Sequence, residues 1–210
     1  MATIPVLLLA YLLGSIPSGY LVPFFMRRID IREHGSGNVG ATNVYRIMGP
    51  LPGVTVGAMD FGKGFGAVAA AIWLIPGQEG WVRVLAGLAA IAGHNWPVWL
   101  SFKGGKGVIT SAGVFLCLAW LPLVAAVTAW LVAFELSGYV SLGSICSGIT
   151  IAIAVFLFPG SWSDPWVRTA AVTAGTLIIL RHRANIRKLL DGTEYRFASH
   201  GLRLIRRLRS

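Results

Sequence analysis

The most restrictive feature of this chain is a run of 22 residues without a charged side chain near its start. Residues 4–25 read IPVLLLAYLLGSIPSGYLVPFF, and an α-helix needs about 20 apolar residues to cross a bilayer core. The run is too long for a signal peptide and lacks a basic leader. Only 12% of the residues are charged and the mean hydropathy is +0.70, whereas soluble domains carry roughly 25% charge. The sequence predicts an all-α integral membrane protein.

Five further apolar runs set the expected number of helices. They lie at residues 51–75, 81–100, 108–134, 141–158 and 166–180. The run at 108–134 is interrupted at Pro122, and splitting it there gives two short halves, segments 108–120 and 122–134, each roughly 20 Å long. Such helices must thin the bilayer locally or form a hairpin that does not fully cross it. We therefore expect seven transmembrane helices, some of them short.

The distribution of basic residues predicts the orientation, because Lys and Arg in short loops mark the cytoplasmic face. With seven helices, fifteen of the 18 Lys and Arg residues fall on one face, and only Arg83 and Arg168 fall on the other. The N-terminus is then outside and the C-terminus cytoplasmic, with residues 181–210 as a basic tail. Leu202, Ile205 and Leu208 among the tail's arginines predict a helix lying on the membrane surface. This distribution accounts for the net charge of +10 without nucleic acid as a partner.

A glycine pattern in residues 34–43, HGSGNVGATN, suggests and then fails to support a nucleotide site. Its glycines match G-x-G-x-x-G, and Asp60 follows twenty positions after Gly40. That fingerprint needs a preceding strand and a βαβ unit. The preceding segment has the length and composition of a membrane helix, so the sequence excludes a dinucleotide-binding fold.

Four polar, glycine-rich or basic segments share the cytoplasmic face in this topology: residues 34–43, 102–107, 135–141 and 181–188. Glycine-rich backbone beside Lys and Arg suits phosphate, because successive N–H groups can turn around an anion. One candidate cradle has Gly35, Gly37 and Gly40, with Ser36, Asn38, Thr42, Asn43 and Arg46 close by. The second has Gly104, Gly105 and Gly107, flanked by Lys103 and Lys106. The alternative is that both segments are plain turns between helices.

Several single residues leave alternatives open. His182 and Asn185 are three positions apart and share a face if that segment is helical, although a histidine in a basic tail is usually solvated. Glu135 is either an ion-pair partner of the basic loops or a participant in the chemistry. Asp60 and Lys63 lie within an apolar run, where charges are expensive and usually paired, so we expect a buried structural pair.

Missing motifs narrow the chemistry further. The sequence has no P-loop spacing, no serine elbow with its partners, no His-x4-Asp pair and no carboxylate cluster for a divalent metal. Cys117 and Cys146 lie in apolar runs and are expected to be small packing residues. We therefore expect no metal and no cofactor, and a cytoplasmic-face site for one or two phosphates.

The motifs resemble a known family, the bacterial membrane-integral glycerol-3-phosphate acyltransferases that use acyl-phosphate as donor. They are GSIP with GSGNVGATN, GHNWPVWLSFKGGKGV at 93–108, ELSGYVSLGS at 135–144 and RHRANIRKLLDGTE at 181–194. They occur in the family's order and span residues 14–194. Val39 and Ile109 stand where proline and alanine are usual in the family, and neither position carries a polar function.

The resemblance implies seven transmembrane helices in the bacterial inner membrane and a single acyltransferase domain over residues 1–210, with its active site facing the cytoplasm. It implies transfer of a fatty acyl group from acyl-phosphate to the 1-hydroxyl of glycerol 3-phosphate, giving lysophosphatidic acid and phosphate, the first acylation of phospholipid synthesis. Membrane lipid, and other enzymes of phospholipid synthesis, are the further partners it suggests. The donor is an activated anhydride, so the protein needs positioning and charge neutralisation more than a strong nucleophile.

Matched to the family motifs, the expected catalytic residues are Ser36, Ser141, His182 and Asn185. The expected phosphate-binding residues are Ser36, Gly37, Asn38, Thr42, Asn43, Arg46, Lys103, Gly104, Gly105, Lys106 and Gly107. His182 is either the base that takes the hydroxyl proton or a donor that positions the substrate. From the sequence we expect the positioning role, because the anhydride needs little help and Asn185 on the same face is itself a donor. A transporter or channel for a phosphorylated solute is the alternative function, although the internal repeats typical of transporters are missing from the sequence.

Overall fold

The computed structural model describes residues 3–77 and 80–197, and all regular secondary structure in these ranges is helical. The ten α-helices of the described residues are α1 (Thr3–Ser15), α2 (Ser18–Arg27), α3 (Ala41–Met48), α4 (Pro50–Leu74), α5 (Gly80–Asn95), α6 (Val108–Leu118), α7 (Trp120–Ser137), α8 (Val140–Leu157), α9 (Pro165–Arg181) and α10 (Arg183–Leu190). The chain divides into an N-terminal unit, Met1–Leu118, and a C-terminal unit, Ala119–Ser210. The surface helix expected at residues 202–208 lies outside the described residues.

The first apolar run is not the single straight helix that its composition predicts. It forms α1 and α2, with a bend of 42° at the break between them. Pro17 lies in this break, where it cannot donate a backbone hydrogen bond and keeps Ile16 out of helical geometry. The expectation of one continuous helix over residues 4–25 is therefore corrected to a broken pair.

The run at residues 108–134 does divide into two helices, although not at Pro122. Ala119 has a non-helical backbone and separates α6 from α7, and Pro122 lies in the first turn of α7, where the missing N–H has no consequence. The two parts are unequal: α6 has 11 residues, about 16 Å, and α7 has 18, about 27 Å. The expectation of two equally short halves is corrected accordingly.

Length and composition distinguish the helices that can cross a membrane alone. Among the described residues, α7 and α8 are long and apolar enough, and α1 with α2 is a third candidate if the bent pair counts as one span. The runs at 51–75, 81–100 and 166–180 form α4, α5 and α9, and α5 ends at Asn95, before Pro97. The short helices α3 and α10 have no apolar run and were not expected from hydropathy.

Small residues pack the N-terminal unit, in which α1 lies against α4 and α5, and α4 lies against α3 and α6. The buried faces of α1, α4 and α5 share a cluster rich in alanine, which includes Ala10, Ala67, Ala71, Ala86 and Ala90. Without a hydrophobic driving force between helices in lipid, close van der Waals contact is what holds them together. The alanines permit that contact.

Glycines bring backbone against backbone at the contact between α4 and α6. A Cβ atom added to Gly64 would lie 2.1 Å from the carbonyl oxygen of Thr110, and one added to Gly113 would lie 2.1 Å from that of Phe61. Each position therefore requires glycine, because a side chain there would collide with the backbone of the facing helix. Similar contacts join Gly14 to Ala90, Gly93 to Tyr11 and Gly175 to Gly148.

We predict that Gly64→Ala lowers the apparent melting temperature of the purified protein, with a loss of about 1–3 kcal/mol from overpacking. Gly62 is the matched control, since it lies on the same helix and a Cβ there would meet no atom within 4 Å. Gly62→Ala should be neutral or stabilising by up to about 1 kcal/mol, because alanine favours helix. Equal melting temperatures for the two variants in detergent would contradict the packing argument.

The C-terminal unit packs α8 between α7 and α9, and α10 continues from the end of α9. The segment that follows α10 folds back onto the turn between α7 and α8. There the Phe197 N–H donates to the Gly138 carbonyl at 2.8 Å, and Arg196 Nε donates to the Ser137 carbonyl at 2.8 Å. Because the segment folds back in this way, Glu194 lies beside Asn185 of α10.

Candidate active site

The break between α1 and α2 is closed by two charged residues of α4. Lys63 Nζ donates to the Ile16 carbonyl at 3.0 Å, and the Ser18 hydroxyl donates to Asp60 Oδ1. Lys63 and Asp60 are 2.9 Å apart, with side chains only 5% and 3% exposed. The buried pair expected from the sequence is confirmed. It also supplies hydrogen-bond partners on both sides of the break.

The first glycine loop, residues 35–40, is organised by the side chain of Asn43. Asn43 Oδ1 accepts from the Ser36 N–H at 3.0 Å, and Nδ2 donates to the carbonyls of His34 and Asn38, each at 3.0 Å. Asn43 is only 2% exposed, so these bonds occupy its amide fully. The structure therefore shows Asn43 shaping the loop, with its side-chain amide bonded to loop backbone.

Two glycines and a second asparagine give this loop its turns. Gly35 and Gly37 have φ of +61° and +69°, a region that favours glycine, and the Gly40 N–H donates to Asn38 Oδ1 at 2.9 Å. Asn38 keeps its amide donors for another partner. Ser36 is exposed at the surface of the loop.

An ion pair stands just before the loop. Arg32 and Asp30 are 2.6 Å apart, and the guanidinium holds the pKa of the Asp30 carboxyl below its usual value. The Asp30 side chain also accepts from the Arg32 N–H at 3.0 Å. This arrangement fixes the turn at Ile31–Glu33, which leads into the glycine loop.

Helix α3 presents its N-terminus directly after this loop. Gly40 precedes its first residue with an extended backbone and no side-chain cap, which leaves the first N–H groups directed away from the helix. Thr42 and Arg46 are four apart and share a face of α3, and both are half-buried. A helix N-terminus beside an arginine is suited to an anion.

The second glycine loop, residues 103–107, is attached to the end of α5. The Gly105 N–H donates to the His94 carbonyl at 3.0 Å, and the Gly104 N–H donates to the Asn95 carbonyl at 3.2 Å. These two groups are therefore already used within the chain. Of the remaining residues in the loop, Lys103 is exposed and Lys106 half-buried, and these two lysines are the cationic side chains of the loop.

Close packing, rather than an open cradle, explains the glycines of the second loop. A Cβ on Gly104 would lie 2.2 Å from the His94 carbonyl oxygen, and one on Gly105 would lie 2.1 Å from His94 Nε2. Gly107 has φ of +79°, and its Cβ would lie 2.9 Å from Asn95 Oδ1. The loop can approach α5 this closely only because it lacks side chains at these positions.

The helices that follow the two glycine loops meet at Gly57 of α4. A Cβ at Gly57 would be 3.8 Å from Ala41 Cβ, at the start of α3, and 3.7 Å from Ile109 Cδ1, at the start of α6. The first loop is also seated on α2, since a Cβ on Gly19 would overlap the Val39 carbonyl oxygen at 1.6 Å. Both helices that follow the two glycine loops therefore contact α4 within the N-terminal unit.

In the C-terminal unit, His182 stands at the junction between α9 and α10. It is 3% exposed, and its Nδ1 lies 2.8 Å from the Ile178 carbonyl oxygen. A carbonyl oxygen only accepts, so Nδ1 carries the proton. In the neutral ring, Nε2 is therefore an acceptor.

The other two predicted residues of this unit are Asn185 and Ser141. Asn185 lies on α10, where its Nδ2 donates to Glu194 Oε1 at 2.7 Å. Ser141 lies in the first turn of α8, 5% exposed, and its hydroxyl has no hydrogen-bond partner in the described parts of the chain. Glu135, near the end of α7, is half-buried.

Two residues with a role in this geometry were not among those singled out from the sequence. His94 touches the second glycine loop through its carbonyl and its ring, and Glu194 holds the amide of Asn185. A histidine at the end of an apolar run, two residues before Trp96-Pro97, was the available signal for His94. Glu194 follows an Asp-Gly turn, but no local pattern connects it to Asn185.

The profile of the family described as Glycerol-3-phosphate acyltransferase matches residues 4–192. The chain belongs to this family. The glycerol-3-phosphate acyltransferase of Synechococcus sp. (strain CC9902) is 43% identical over 201 residues, which are 96% of this chain and 98% of the relative. That of Thermosynechococcus vestitus is 44% identical over 203 residues, covering 92% and 95% of the two chains.

Two crystal structures have the same integral membrane fold. Both are of PlsY (YgiH), described as an integral membrane glycerol 3-phosphate acyltransferase. The glycerol 3-phosphate form has a TM-score of 0.86 at 40% identity and covers 94% of this chain and 96% of that chain. The lysophosphatidic acid form has a TM-score of 0.84 at 39% identity and covers 95% and 97%. The resemblance to this acyltransferase family is thus confirmed, and the alternative of a transporter is not supported.

We predict that Asn43→Ala lowers the stability of the N-terminal unit, because it leaves buried backbone groups of the first loop unpaired, at about 1–3 kcal/mol for each such group. Thr42→Ala, one residue away on the half-buried face, should stay within about 0.5 kcal/mol of the wild type. Thermal unfolding in detergent measures both variants. An Asn43→Ala protein as stable as the wild type would show that the loop holds its shape by other means.

Proposed function

We propose that this member of the acyltransferase family transfers a fatty acyl group from acyl-phosphate to the 1-hydroxyl of glycerol 3-phosphate. The products are lysophosphatidic acid and inorganic phosphate. The observation that carries the proposal is the likeness, at 40% and 39% identity over nearly the whole chain, to PlsY in its glycerol 3-phosphate and lysophosphatidic acid forms. Those two forms name the acceptor and the acylated product of one reaction.

The geometry of the N-terminal unit supports two phosphate-bearing substrates. One anion-binding element is the N-terminus of α3 with Thr42, Arg46, Ser36, Gly37 and Asn38, and the other is the lysine pair of residues 103–107. The helices after the two loops meet at Gly57. Two phosphates in one site need several cations around them, and Arg46, Lys103 and Lys106 are the cations that these two elements carry.

We propose that His182 accepts the proton of the attacking hydroxyl. Its Nδ1 donates to the Ile178 carbonyl, which leaves Nε2 of the neutral ring as a lone pair that can take a proton but cannot donate one. The proton moves from the 1-hydroxyl to Nε2 as the oxygen attacks the acyl carbon, and phosphate leaves with the electrons of the anhydride bond. Asn185, fixed by Glu194, and the hydroxyl of Ser141 are proposed to position the reacting groups.

We propose the seven-span topology for the whole chain, with the N-terminus outside, the C-terminus cytoplasmic and the reaction at the cytoplasmic face of the bacterial inner membrane. The bent pair of α1 and α2 counts as one span, and α6 is a short one. The support is the distribution of fifteen basic residues against two. Both units take part in one acyltransferase function, which is the sense in which residues 1–210 form a single domain.

The direct test of the function is turnover by the purified protein in detergent or nanodiscs. We expect phosphate release and lysophosphatidic acid only when glycerol 3-phosphate and acyl-phosphate are both present. Acyl thioesters should not replace acyl-phosphate as donor, because the proposal assigns cations to a donor phosphate. Acylation from a thioester with no acyl-phosphate present would overturn the choice of donor.

We predict that both His182→Gln and His182→Ala reduce kcat by about 10²–10⁴-fold, as expected for the loss of a positioned base. Wild-type kcat should fall as the pH is lowered, because a protonated imidazole cannot accept the hydroxyl proton. Both variants should lack this acidic limb. If Gln instead keeps a tenth or more of the wild-type kcat while Ala falls much further, His182 is a positioning donor.

We predict that a reporter fused after residue 210 is cytoplasmic and that one inserted at residues 159–164 is outside. A third reporter in residues 76–80 should agree with the second, since α4 and α5 flank it. Enzymatic reporters that are active on only one side of the membrane measure this. Finding the first two reporters on the same side would exclude the seven-span topology.

A further inference from the structure

Three polar groups converge on one carboxylate oxygen inside the N-terminal unit. Asp60 Oδ1 accepts from the hydroxyl of Ser18, lies 2.9 Å from Lys63 Nζ and lies 3.5 Å from Nδ1 of His94. These partners come from α2, α4 and α5. A pair that only neutralised charge inside the bilayer would need Lys63 alone, so the contact with His94 calls for a separate explanation.

The contact with Asp60 orients the ring of His94. A carboxylate facing Nδ1 favours a proton on that nitrogen and fixes the plane of the ring. The opposite nitrogen, Nε2, then faces Gly105, where an added Cβ would lie 2.1 Å away. The ring is 8% exposed. The ring therefore packs closely against Gly105, where no side chain would fit.

The same end of α5 also holds the loop by its backbone. The carbonyls of His94 and Asn95 accept the N–H groups of Gly105 and Gly104, and Asn95 lies against Gly107. Lys103 and Lys106 belong to this loop. A chain of direct contacts therefore runs from a carboxylate on α4, through the imidazole, to the segment that carries two cations.

We propose that Asp60 is a positioning residue for the loop at residues 103–107 and acts on it through His94. The loop recognises the phosphate group of a substrate, either that of glycerol 3-phosphate or that of the acyl-phosphate donor. This last point rests on the proposed function, whereas the mechanical coupling from Asp60 to the loop does not. Lys63 keeps a separate task, because it balances the carboxylate charge and binds the Ile16 carbonyl at the helix break.

The coupling is tested by hydrogen–deuterium exchange of peptides that cover residues 101–107, with Asp60→Asn as the variant. Asn keeps the size of the side chain but removes the charge that orients the ring. Exchange at Gly104 and Gly105 should become at least tenfold faster. Val82→Ala is the control, since Val82 is a buried residue of α5 in the alanine-rich cluster, far along the helix from His94, and should lower the melting temperature without changing this exchange.

Kinetics supply the second readout. Asp60→Asn should raise the KM for one phosphorylated substrate on the order of tenfold, as the loss of an outer support typically does, with kcat within about threefold of the wild type. Measuring the KM for glycerol 3-phosphate and for acyl-phosphate separately shows which phosphate the loop binds. Val82→Ala should change neither KM.

A charge exchange separates positioning from simple ion pairing. The double variant Asp60→Lys with Lys63→Asp restores a pair on α4 but presents a cation to His94 and Ser18. We expect its melting temperature to be higher than that of Asp60→Lys alone. Its KM should stay raised, and hydrogen–deuterium exchange at residues 101–107 should stay faster than in the wild type. Recovery of all three would overturn the proposal, because the pair alone would then suffice.

The hydrogen–deuterium exchange experiment on Asp60→Asn tests the proposal even if the double variant Asp60→Lys with Lys63→Asp does not fold. Unchanged exchange at residues 101–107 in Asp60→Asn overturns the coupling, whatever the activity. If the wild type shows no acyl transfer, the proposed function fails, and faster exchange in Asp60→Asn would still support the coupling. Active wild type with unchanged exchange refutes the coupling alone.

Discussion

The N-terminal unit depends on the closure of a helix break by a buried ion pair. Backbone groups inside a bilayer must find partners within the protein, and Pro17 prevents α1 from continuing through its own hydrogen bonds. Lys63 donates to the Ile16 carbonyl before the break, and Asp60 accepts from the side-chain hydroxyl of Ser18 after it. Removing one member would leave an uncompensated charge in a dry site, which is strongly destabilising. The buried pair therefore helps to stabilise the break, beside the backbone hydrogen bonds that the break itself makes.

The break in turn seats the loops that surround it. A helix that begins again at Ser18 places Gly19 against Val39, which holds the first glycine loop, and Asp60 also reaches His94, which holds the second. Hydrogen bonds inside the chain fix both loops before any ligand arrives. An acyl-phosphate is already activated, so fixed geometry and cations, rather than a strong nucleophile, are what such a donor requires from the protein.

Hydropathy predicted the helices well where a helix is long and continuous, and less well where the chain departs from that. The segments that became α4, α8 and α9 were located within a residue or two, because a long apolar run allows few alternatives in lipid. Hydropathy did not predict the break at Pro17, because all 22 residues of this run are uncharged and composition does not indicate where helical hydrogen bonding stops. At Pro122 the sequence predicted a helix break that the structure does not have, since the first turn of a helix tolerates proline. The polar helices α3 and α10 carry no apolar run to reveal them.

In the candidate site, the sequence indicates which residue types are present but not the role that each of them has. The sequence predicted phosphate cradles at both loops, with Asn43 as a ligand donor and Gly104 and Gly105 as free backbone, whereas all three are engaged inside the protein. Their partners, such as His34 and His94, are five or more residues away, and no local pattern identifies them. Glycine permits backbone to approach either a phosphate or another backbone, and a sequence cannot distinguish the two. In a fold held together by close helix contacts, the approach to protein backbone is the more frequent use. The charge of the cations beside the glycines, rather than the glycines themselves, is therefore the better guide to where a phosphate binds.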